Sequence, residues 1–252
     1  MRKLAILPVA LVATLALAQV AGAQSSTYEI TASTSPAKAG SKKRPVPVSI
    51  RFGAKAEGTG RPSTSSRFAV TFGGIRANTR GFKTCTVAQI NAAQSDNGCS
   101  SSARIGTGSV NNLVGQAADP NDTSISCTLN VTIYNGGGGK AAIFLRGGPT
   151  VPGAPCPVSV NQALDGTFSN TRAGVRLSFD IPANLMHPIT GLNQGINELT
   201  ATLSRKTARV RGKRVNLLES TGGCRGGKRQ VVLELTAEAG GSSTSRGTAR
   251  CS

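Results

Sequence analysis

The chain has 252 residues, with 29 Lys and Arg against 11 Asp and Glu, a formal net charge of +18. It contains 31 Gly, seven Phe, two Tyr and no Trp. This composition allows a sizeable core but favours short strands between many turns, which argues against a helical protein. The positive charge favours adhesion to polyanions, although it would also serve simply to keep the protein in solution.

The N-terminal 23 residues have the pattern of a secretory signal peptide. Arg2 and Lys3 precede an apolar run over residues 4–20, and a small-residue cleavage motif follows at residues 21–23. An uncleaved membrane anchor is the alternative, but the run is shorter than the ~20 residues that a spanning helix needs. The mature chain is therefore expected to begin at Gln24 and to be secreted, or associated with the cell envelope, without a transmembrane segment.

Alternation of apolar and polar residues predicts most of the mature chain to be strands. Residues 35–45 (SPAKAGSKKRP) precede them as an exposed basic loop. A period of two, with one apolar face, is typical of half-buried strands in antiparallel sheets. The predicted core-facing residues are Val46, Val48, Ile50 and Phe52; Phe68, Val70 and Phe72; Ile125, Cys127, Leu129, Val131 and Ile133; Val175, Leu177, Phe179 and Ile181; Leu199, Ala201 and Leu203; and Val231, Leu233, Leu235 and Ala237.

One short helix is predicted near residues 86–95. Thr86 and Gln89 have the spacing of a capping box, and residues 96–98 (DNG) end the helix. A helix of two turns is marginal in water by itself. A bridge between Cys85 and Cys99 would close a loop of about 15 residues, for which the chain-entropy estimate is ~3 kcal/mol. Such a bridge would hold a helix that could not persist alone.

The remaining segments predict turns and loops. Residues 136–139 are four glycines and form a hairpin loop, four prolines make residues 149–157 irregular, and the polar tail after Ala239 would fray unless Cys251 holds it. Together the elements predict an all-β protein, an antiparallel β-sandwich of immunoglobulin-like or related form. The sandwich would occupy residues 24–252 as one domain, and two smaller sandwiches are the alternative.

All six cysteines lie in the predicted mature chain. An even number in an oxidising compartment predicts three disulfides, although fifteen pairings are formally possible. We favour sequential pairing. A zinc site is not expected, because no two cysteines have a C-x-x-C spacing and His187 is the only histidine. The cysteines are Cys85, Cys99, Cys127, Cys156, Cys224 and Cys251.

Several of these motifs occur together in one known group of proteins. The strand FAVTF at 68–72, the cysteine-closed short helix, the IGTG strand at 105–108 and the cysteine-bracketed C-terminal hairpin resemble uncharacterised secreted proteins of high-GC Gram-positive bacteria. The resemblance implies that Cys85 pairs with Cys99 and Cys224 with Cys251, which leaves Cys127 and Cys156 as an addition of this chain. It implies no activity, and it transfers no functional residue.

Candidates for catalysis and metal binding are weak. A Ser-His-Asp triad would have to use His187, which lies between Met186 and Pro188 and is better explained by a loop. The glycines of 106–108 and 136–139 lack the lysine and serine spacing of a phosphate loop. The segment from Asp119 to Asp122 lacks the further ligands of a calcium loop, and the other carboxylates are scattered. We therefore predict no cofactor and no metal.

The strongest feature is a basic cluster near the C-terminus. It carries a net charge of +8 over 25 residues, with Glu219 as its one acidic residue. Such a patch attracts phosphate or carboxylate polymers, whereas the absence of interleaved aromatic residues argues against nucleic-acid binding. A simply solvated face is the alternative. The cluster consists of Arg205, Lys206, Arg209, Arg211, Lys213, Arg214, Arg225, Lys228 and Arg229.

These features favour a non-enzymatic binding or structural protein of the cell envelope. The basic cluster would attach it to anionic cell-wall or surface polymers, without specific recognition of nucleic acid. A secreted hydrolase whose site is assembled from scattered residues is the alternative from another class. A third possibility is a structural module that assembles with itself into a surface layer.

Overall fold

The structure is a computed structural model that describes residues 26–252, so the predicted signal peptide lies outside it. Sixteen strands and two short helices make up the described chain. In chain order they are β1 (Tyr28–Ser35), β2 (Val46–Pro47), β3 (Ser49–Ala56), β4 (Ser65–Gly73), β5 (Ile75–Ala77), α1 (Val87–Ala93), β6 (Arg104–Gln116), β7 (Ile125–Gly137), β8 (Lys140–Gly147), β9 (Val160–Asn170), β10 (Gly174–Asp180), α2 (Ala183–Met186), β11 (Leu192–Leu203), β12 (Thr207–Val210), β13 (Lys213–Asn216), β14 (Leu218–Ser220), β15 (Lys228–Ala237) and β16 (Ser242–Arg250).

Eleven strands form one antiparallel sheet, which confirms the all-β prediction. Their order is β1-β3-β11-β6-β7-β8-β9-β10-β4-β15-β16, and two small sheets, β12-β13 and β2-β14-β5, lie outside it. The long connection from β10 brings β11 between β3 and β6, so strands that are distant in sequence become neighbours. This nonlocal placement joins the two halves of the described chain in a single sheet.

The large sheet curls until its two edge strands meet. The Tyr28 amide donates to Ser245 Oγ over 2.8 Å, and a Cβ built on Gly247 would lie 2.7 Å from Ile30 Cβ. With eleven antiparallel strands, β1 and β16 must run in the same direction where they meet, and no regular ladder joins them. The sheet is therefore a nearly closed cylinder, and the predicted sandwich form is not confirmed.

The core lies inside this cylinder, and alternation places the predicted residues there. Val70 and Leu233 are paired across β4 and β15, and Ile133 and Ile143 across β7 and β8, all of them buried. A ring pair, Phe52 with Phe72, packs edge to face at 5.8 Å between centroids. Side chains on the opposite face mostly point to solvent, as in an antiparallel sheet with one wet face. The exception lies beneath α1, where Ala142, Phe144 and Ala163 form a second buried cluster with Ile90.

The connections gather at two ends of the cylinder, which we name after the helix at each. The α1 end comprises residues 36–48, 74–103, 138–139, 171–173, 204–227 and 251–252. At the opposite, α2 end lie residues 57–64, 117–124, 148–159, 181–191 and 238–241. Every small sheet belongs to the α1 end, because that end carries the longest connections.

Helix α1 begins with the predicted capping box. The Gln89 amide donates to Thr86 Oγ1 over 3.3 Å, and the Thr86 amide donates to Gln89 Oε1 over 2.8 Å. Gln94, in a left-handed conformation, ends the helix. Ile90 is buried, and Asn91 binds both backbone groups of Ala163 on β9. The helix is thus fastened to the cylinder wall as well as by its disulfide.

The three disulfides pair sequentially, as predicted. Cys85 bonds to Cys99, Cys127 to Cys156 and Cys224 to Cys251. The first and third lie at the α1 end, whereas the second joins β7 to the proline-rich connection at the α2 end. Three disulfides fit an extracellular protein. Neither helix in the described range is long and apolar enough to cross a membrane.

Candidate functional site

The predicted basic cluster divides into three environments. Lys206 is half-buried and Arg229 is fully buried, whereas the other seven residues are exposed at the α1 end. Four of those seven, Arg209, Arg211, Lys213 and Arg214, belong to the hairpin of β12 and β13. The exposed part of the cluster is therefore centred on this hairpin.

The hairpin turn and register concentrate positive charge. Arg211 and Gly212 have φ of 50° and 76°, the left-handed pair of a type I′ turn, which favours glycine at the second position. Arg209 lies directly opposite Arg214, so their Cβ atoms are about 5 Å apart. Like charges in that position are destabilising. A bound anion would relieve this repulsion, and guanidinium groups bind phosphate or carboxylate in bidentate fashion.

Two contacts fix the hairpin against the rest of the α1 end. Val210 packs against Gly81, whose φ of +81° and lack of a side chain allow the close approach. Lys206 Nζ donates to the carbonyl oxygens of Ser101 and Ser102 over 3.2 and 2.9 Å. Burial, together with the nearby Arg104, lowers the pKa of the Lys206 ammonium. Lys206 thus anchors the hairpin to the segment after α1.

Arg229 does not belong to the exposed surface that the sequence indicated. Its side chain has 0 % exposure, with Nη1 donating to the Gly73 carbonyl over 3.1 Å and Nη2 to Ser220 Oγ over 2.8 Å. Burial lowers the pKa of this guanidinium. Alternation explains the position, because Arg229 shares the inward face of β15 with Val231, Leu233 and Leu235. That period of two was the signal in the sequence that could have placed it.

The fold gathers further cations at the end that carries the hairpin, four of them from the predicted basic loop of residues 35–45, which the sequence did not connect with the cluster. The connections of the α1 end carry fifteen Lys and Arg against two acidic residues, Asp96 and Glu219, a net charge of +13. All fifteen except Lys206 are exposed. Beyond the cluster they are Lys38, Lys42, Lys43, Arg44, Arg76, Arg80, Lys83 and Arg172. These residues come from three separate connections, so no local sequence signal could have joined them.

A groove at the α1 end collects some of these groups. Lys42, Arg76 and Arg80 line it beside the glycine turn of residues 138–139, and its volume is about 630 Å³. Glu219 is the one acidic residue of its lining. A groove with this lining is open to solvent and attracts extended anions rather than a small enclosed ligand.

The cations of the α1 end are not neutralised by ion pairs with other described residues. The three ion pairs within residues 26–252 are Arg67 with Asp180, Arg176 with Glu234 and His187 with Glu238, and none includes the fifteen cations. Glu219 Oε1 accepts from the Asn216 amide group, and Asp96 accepts from the Tyr134 hydroxyl. The positive charge is consequently available to a partner.

The α2 end has the opposite charge. Its connections carry Arg61 against four acidic residues, a net charge of −3. Arg61 is buried, and it donates to the carbonyl oxygens of Gln116 and Asp122 over 2.8 and 2.7 Å. This arginine therefore holds two connections together and contributes little positive charge to the surface.

His187 does not assemble a catalytic triad. Its Nδ1 lies 3.0 Å from Asn193 Oδ1 and its Nε2 lies 2.7 Å from Glu238 Oε1. The hydrogen bond with Glu238 is the main cause that raises the pKa of His187. Because both ring nitrogens are occupied, neither is left to accept a proton from a serine hydroxyl in this arrangement. The histidine instead fixes the connection that contains α2.

The segment from Asp119 to Asp122 is a turn stabilised by its own amides. Asp122 accepts from the amides of Gln116 and Ser124 over 2.7 and 3.0 Å, and these bonds hold the pKa of its carboxyl at about 2. Asp119 accepts from Asn121 over 2.8 Å. Across residues 26–252, no group of three or more His, Cys, Asp or Glu side chains is placed to hold a metal ion.

Comparison with known proteins does not assign this chain to a family. No protein-family model matches the chain, and the curated proteins and the solved structures yield no match either. The resemblance to secreted proteins of high-GC Gram-positive bacteria stays a prediction. The α1 end is accordingly interpreted from its own charges and geometry.

Proposed function

We propose that this is a secreted, non-enzymatic binding protein of the cell envelope that attaches to anionic polymers through its α1 end. The observation that carries the proposal is the net charge of +13 on the connections of one end, exposed and unpaired with other described residues. The opposite end is net negative, so an anionic surface attracts the molecule with the α1 end facing it. Three disulfides support export, because such bonds persist in oxidising compartments.

The hairpin is the most specific part of the proposed attachment surface. Arg209 and Arg214 face each other without an acidic partner, so their guanidinium groups repel each other. A phosphate or carboxylate between them would reduce this repulsion. Extended chains with regularly spaced charges suit the surface better than single ions, since the groove of Lys42, Arg76 and Arg80 adds further contacts. Envelope polymers with phosphate or carboxylate repeats have that chemistry.

The experiment compares two variants with the same change in net charge. In the hairpin variant, Arg209→Gln, Lys213→Gln and Arg214→Gln remove three charges from the α1 end. The control variant replaces three exposed cations of the strands: Lys55→Gln, Arg146→Gln and Arg246→Gln. Binding to isolated envelopes and to soluble poly(glycerol phosphate) and polygalacturonate is measured across a salt series.

The wild-type protein is expected to bind with an affinity that falls steeply as salt rises, because exposed charges are screened beyond about 8 Å at physiological ionic strength. The hairpin variant should lose at least tenfold in affinity at low salt, and the control variant less than threefold. Equal losses in both variants would show that only the total charge matters. No binding by the wild-type protein would refute the proposal and favour the hydrolase or the self-assembling module.

A further inference from the structure

The interior of the cylinder is not completely filled. A cavity of about 100 Å³ lies among the inward-facing side chains of the sheet and reaches the connections of the α2 end. Its walls are almost entirely apolar, with Val110, Leu129 and Leu177 among them. Apolar cavities in proteins take up small molecules such as benzene. The cavity is therefore a candidate site for a small molecule.

Two side-chain amides interrupt the apolar wall. Asn112 and Gln194 line the cavity with 4 % and 7 % of their surface exposed. Their amide groups face the cavity and have no hydrogen-bond partner among the side chains that line it. Asn112 lies opposite Ile196, and Gln194 lies opposite Val114 on the same strand pair. The two amides are thus diagonal neighbours, about 7–8 Å apart and within reach of one ligand atom.

Unpaired amides in an apolar interior are costly. Each buried polar group without a partner costs about 1–3 kcal/mol, whereas Val or Leu would pack in the same inward positions, as Val110 and Val114 do on β6. Water or a ligand must therefore supply the missing hydrogen bonds of these two amides. No Lys, Arg, Asp or Glu occurs among the cavity-lining residues of the described chain, so a charged ligand would have no counter-ion.

We propose that the cavity binds a neutral molecule of about six carbon atoms with one hydroxyl or carbonyl group, of which phenol is the model. The carbon skeleton lies against the apolar wall, and the polar group exchanges hydrogen bonds with Asn112 and Gln194. Binding pockets for drug-sized ligands are about 300–1,000 Å³, so the cavity of about 100 Å³ excludes them and selects small compounds. This site is independent of the anionic polymer proposed for the α1 end.

The residues that cover the cavity at one end of the cylinder belong to connections of the α2 end. Val158 comes from the connection that Cys156 bonds to Cys127, and Leu185 and Pro188 come from the connection that contains α2. The first connection is covalently fixed to β7. The second is held at its surface by the hydrogen bonds of His187 to Asn193 and Glu238.

The test compares phenol with benzene, which has nearly the same ring but no hydroxyl. Titrations of the isotopically labelled protein are followed by NMR, and contacts between ligand ring protons and the methyl groups of Val110 and Leu129 locate the site. The double variant Asn112→Leu and Gln194→Met removes the amides with little change in volume. Asn130→Leu is the matched control, because Asn130 lies on the outer face of β7 between inward Leu129 and Val131.

Wild-type protein and Asn130→Leu are expected to bind phenol at least tenfold more tightly than benzene, with contacts to both methyl groups. In the double variant, the preference should fall to about one while benzene still binds. An unchanged preference for phenol in that variant would overturn the role of the amides. Absence of phenol contacts to either methyl group in the wild-type protein, up to the solubility of phenol, would overturn the proposal without affecting polymer binding.

Discussion

The two ends of the cylinder differ in the length of their connections, which are longer at the α1 end, and they are also stabilised differently. At the α1 end, two disulfides, two small sheets and a capped helix support connections with a net charge of +13. At the α2 end, one disulfide, buried Arg61 and the His187 pair hold connections of net charge −3. Concentrated like charge is destabilising, so the basic end needs the stronger framework.

This difference would let one small fold separate the two proposed kinds of binding. The rigid, charged end suits attachment to a surface, and the more lightly fastened end covers an apolar interior. An attached molecule would keep the α2 end directed away from the polymer and accessible to small solutes. Substitutions at each end test how far the two ends are independent.

Removal of a disulfide should have the largest effect. Cys127→Ala with Cys156→Ala opens a loop of sequence separation 29, and the chain-entropy estimate predicts a loss of about 3–4 kcal/mol in the free energy of unfolding. Urea denaturation measures this loss, and hydrogen exchange should rise mainly in residues 148–159. The matching change of Cys85 and Cys99 should cost about 3 kcal/mol and raise exchange around α1. Exchange that rises equally at both ends would show that the ends are coupled.

The buried side chain of Arg229 stabilises the α1 end through its hydrogen bonds. Arg229→Ala removes its bonds to Gly73 and Ser220 and leaves a cavity, so the free energy of unfolding should fall by about 2–3 kcal/mol. Lys228→Ala is the control, because Lys228 is the exposed neighbour and its replacement should stay within about 0.5 kcal/mol. Equal effects of the two substitutions on urea denaturation would contradict the buried position.

The smallest effect is expected from His187 at the α2 end. Its pKa is raised in the folded protein, so its pairing with Glu238 stabilises the fold fully below pH ~6.5 and is lost as pH rises through the raised pKa. Both side chains are more than one third exposed, at 36 % and 38 %, which limits the contribution to below about 1 kcal/mol. His187→Gln should abolish this decline in thermal stability above pH ~6.5. A decline that persists in the variant would assign it to another group.

Local features of the fold could be predicted, because their causes lie close together in the sequence. The capping box of Thr86 and Gln89 and the alternation around Val70 and Leu233 each depend on neighbouring residues, and the structure has them where expected. The alternation along each strand also indicated which polar residues are buried, but the charge of Arg229 suggested that it was exposed. Arg229 and Asn112 both lie two residues from inward-facing valines, yet polar character alone suggested an exposed surface for Arg229.

The shape of the sheet and the extent of the basic surface depend on nonlocal pairing. Whether antiparallel strands form two packed sheets or one curled sheet is decided by which edges meet, here β1 with β16. Lys42, Arg80 and Arg214 are likewise distant in sequence. They lie at the same end of the cylinder because successive connections alternate between its two ends. The sequence could indicate the hairpin part of the site but not its partners from other connections.

The meeting of β1 and β16 also bears on whether copies of the protein can polymerise. An uncovered edge strand is a template to which another chain can add its own backbone, the usual route to fibres of stacked strands. In the main sheet of residues 26–252 each edge shields the other, so neither is free to recruit a second molecule. If the protein forms a layer, its copies must therefore join through outer faces or through the oppositely charged ends. A layer joined through the charged ends would dissolve in salt.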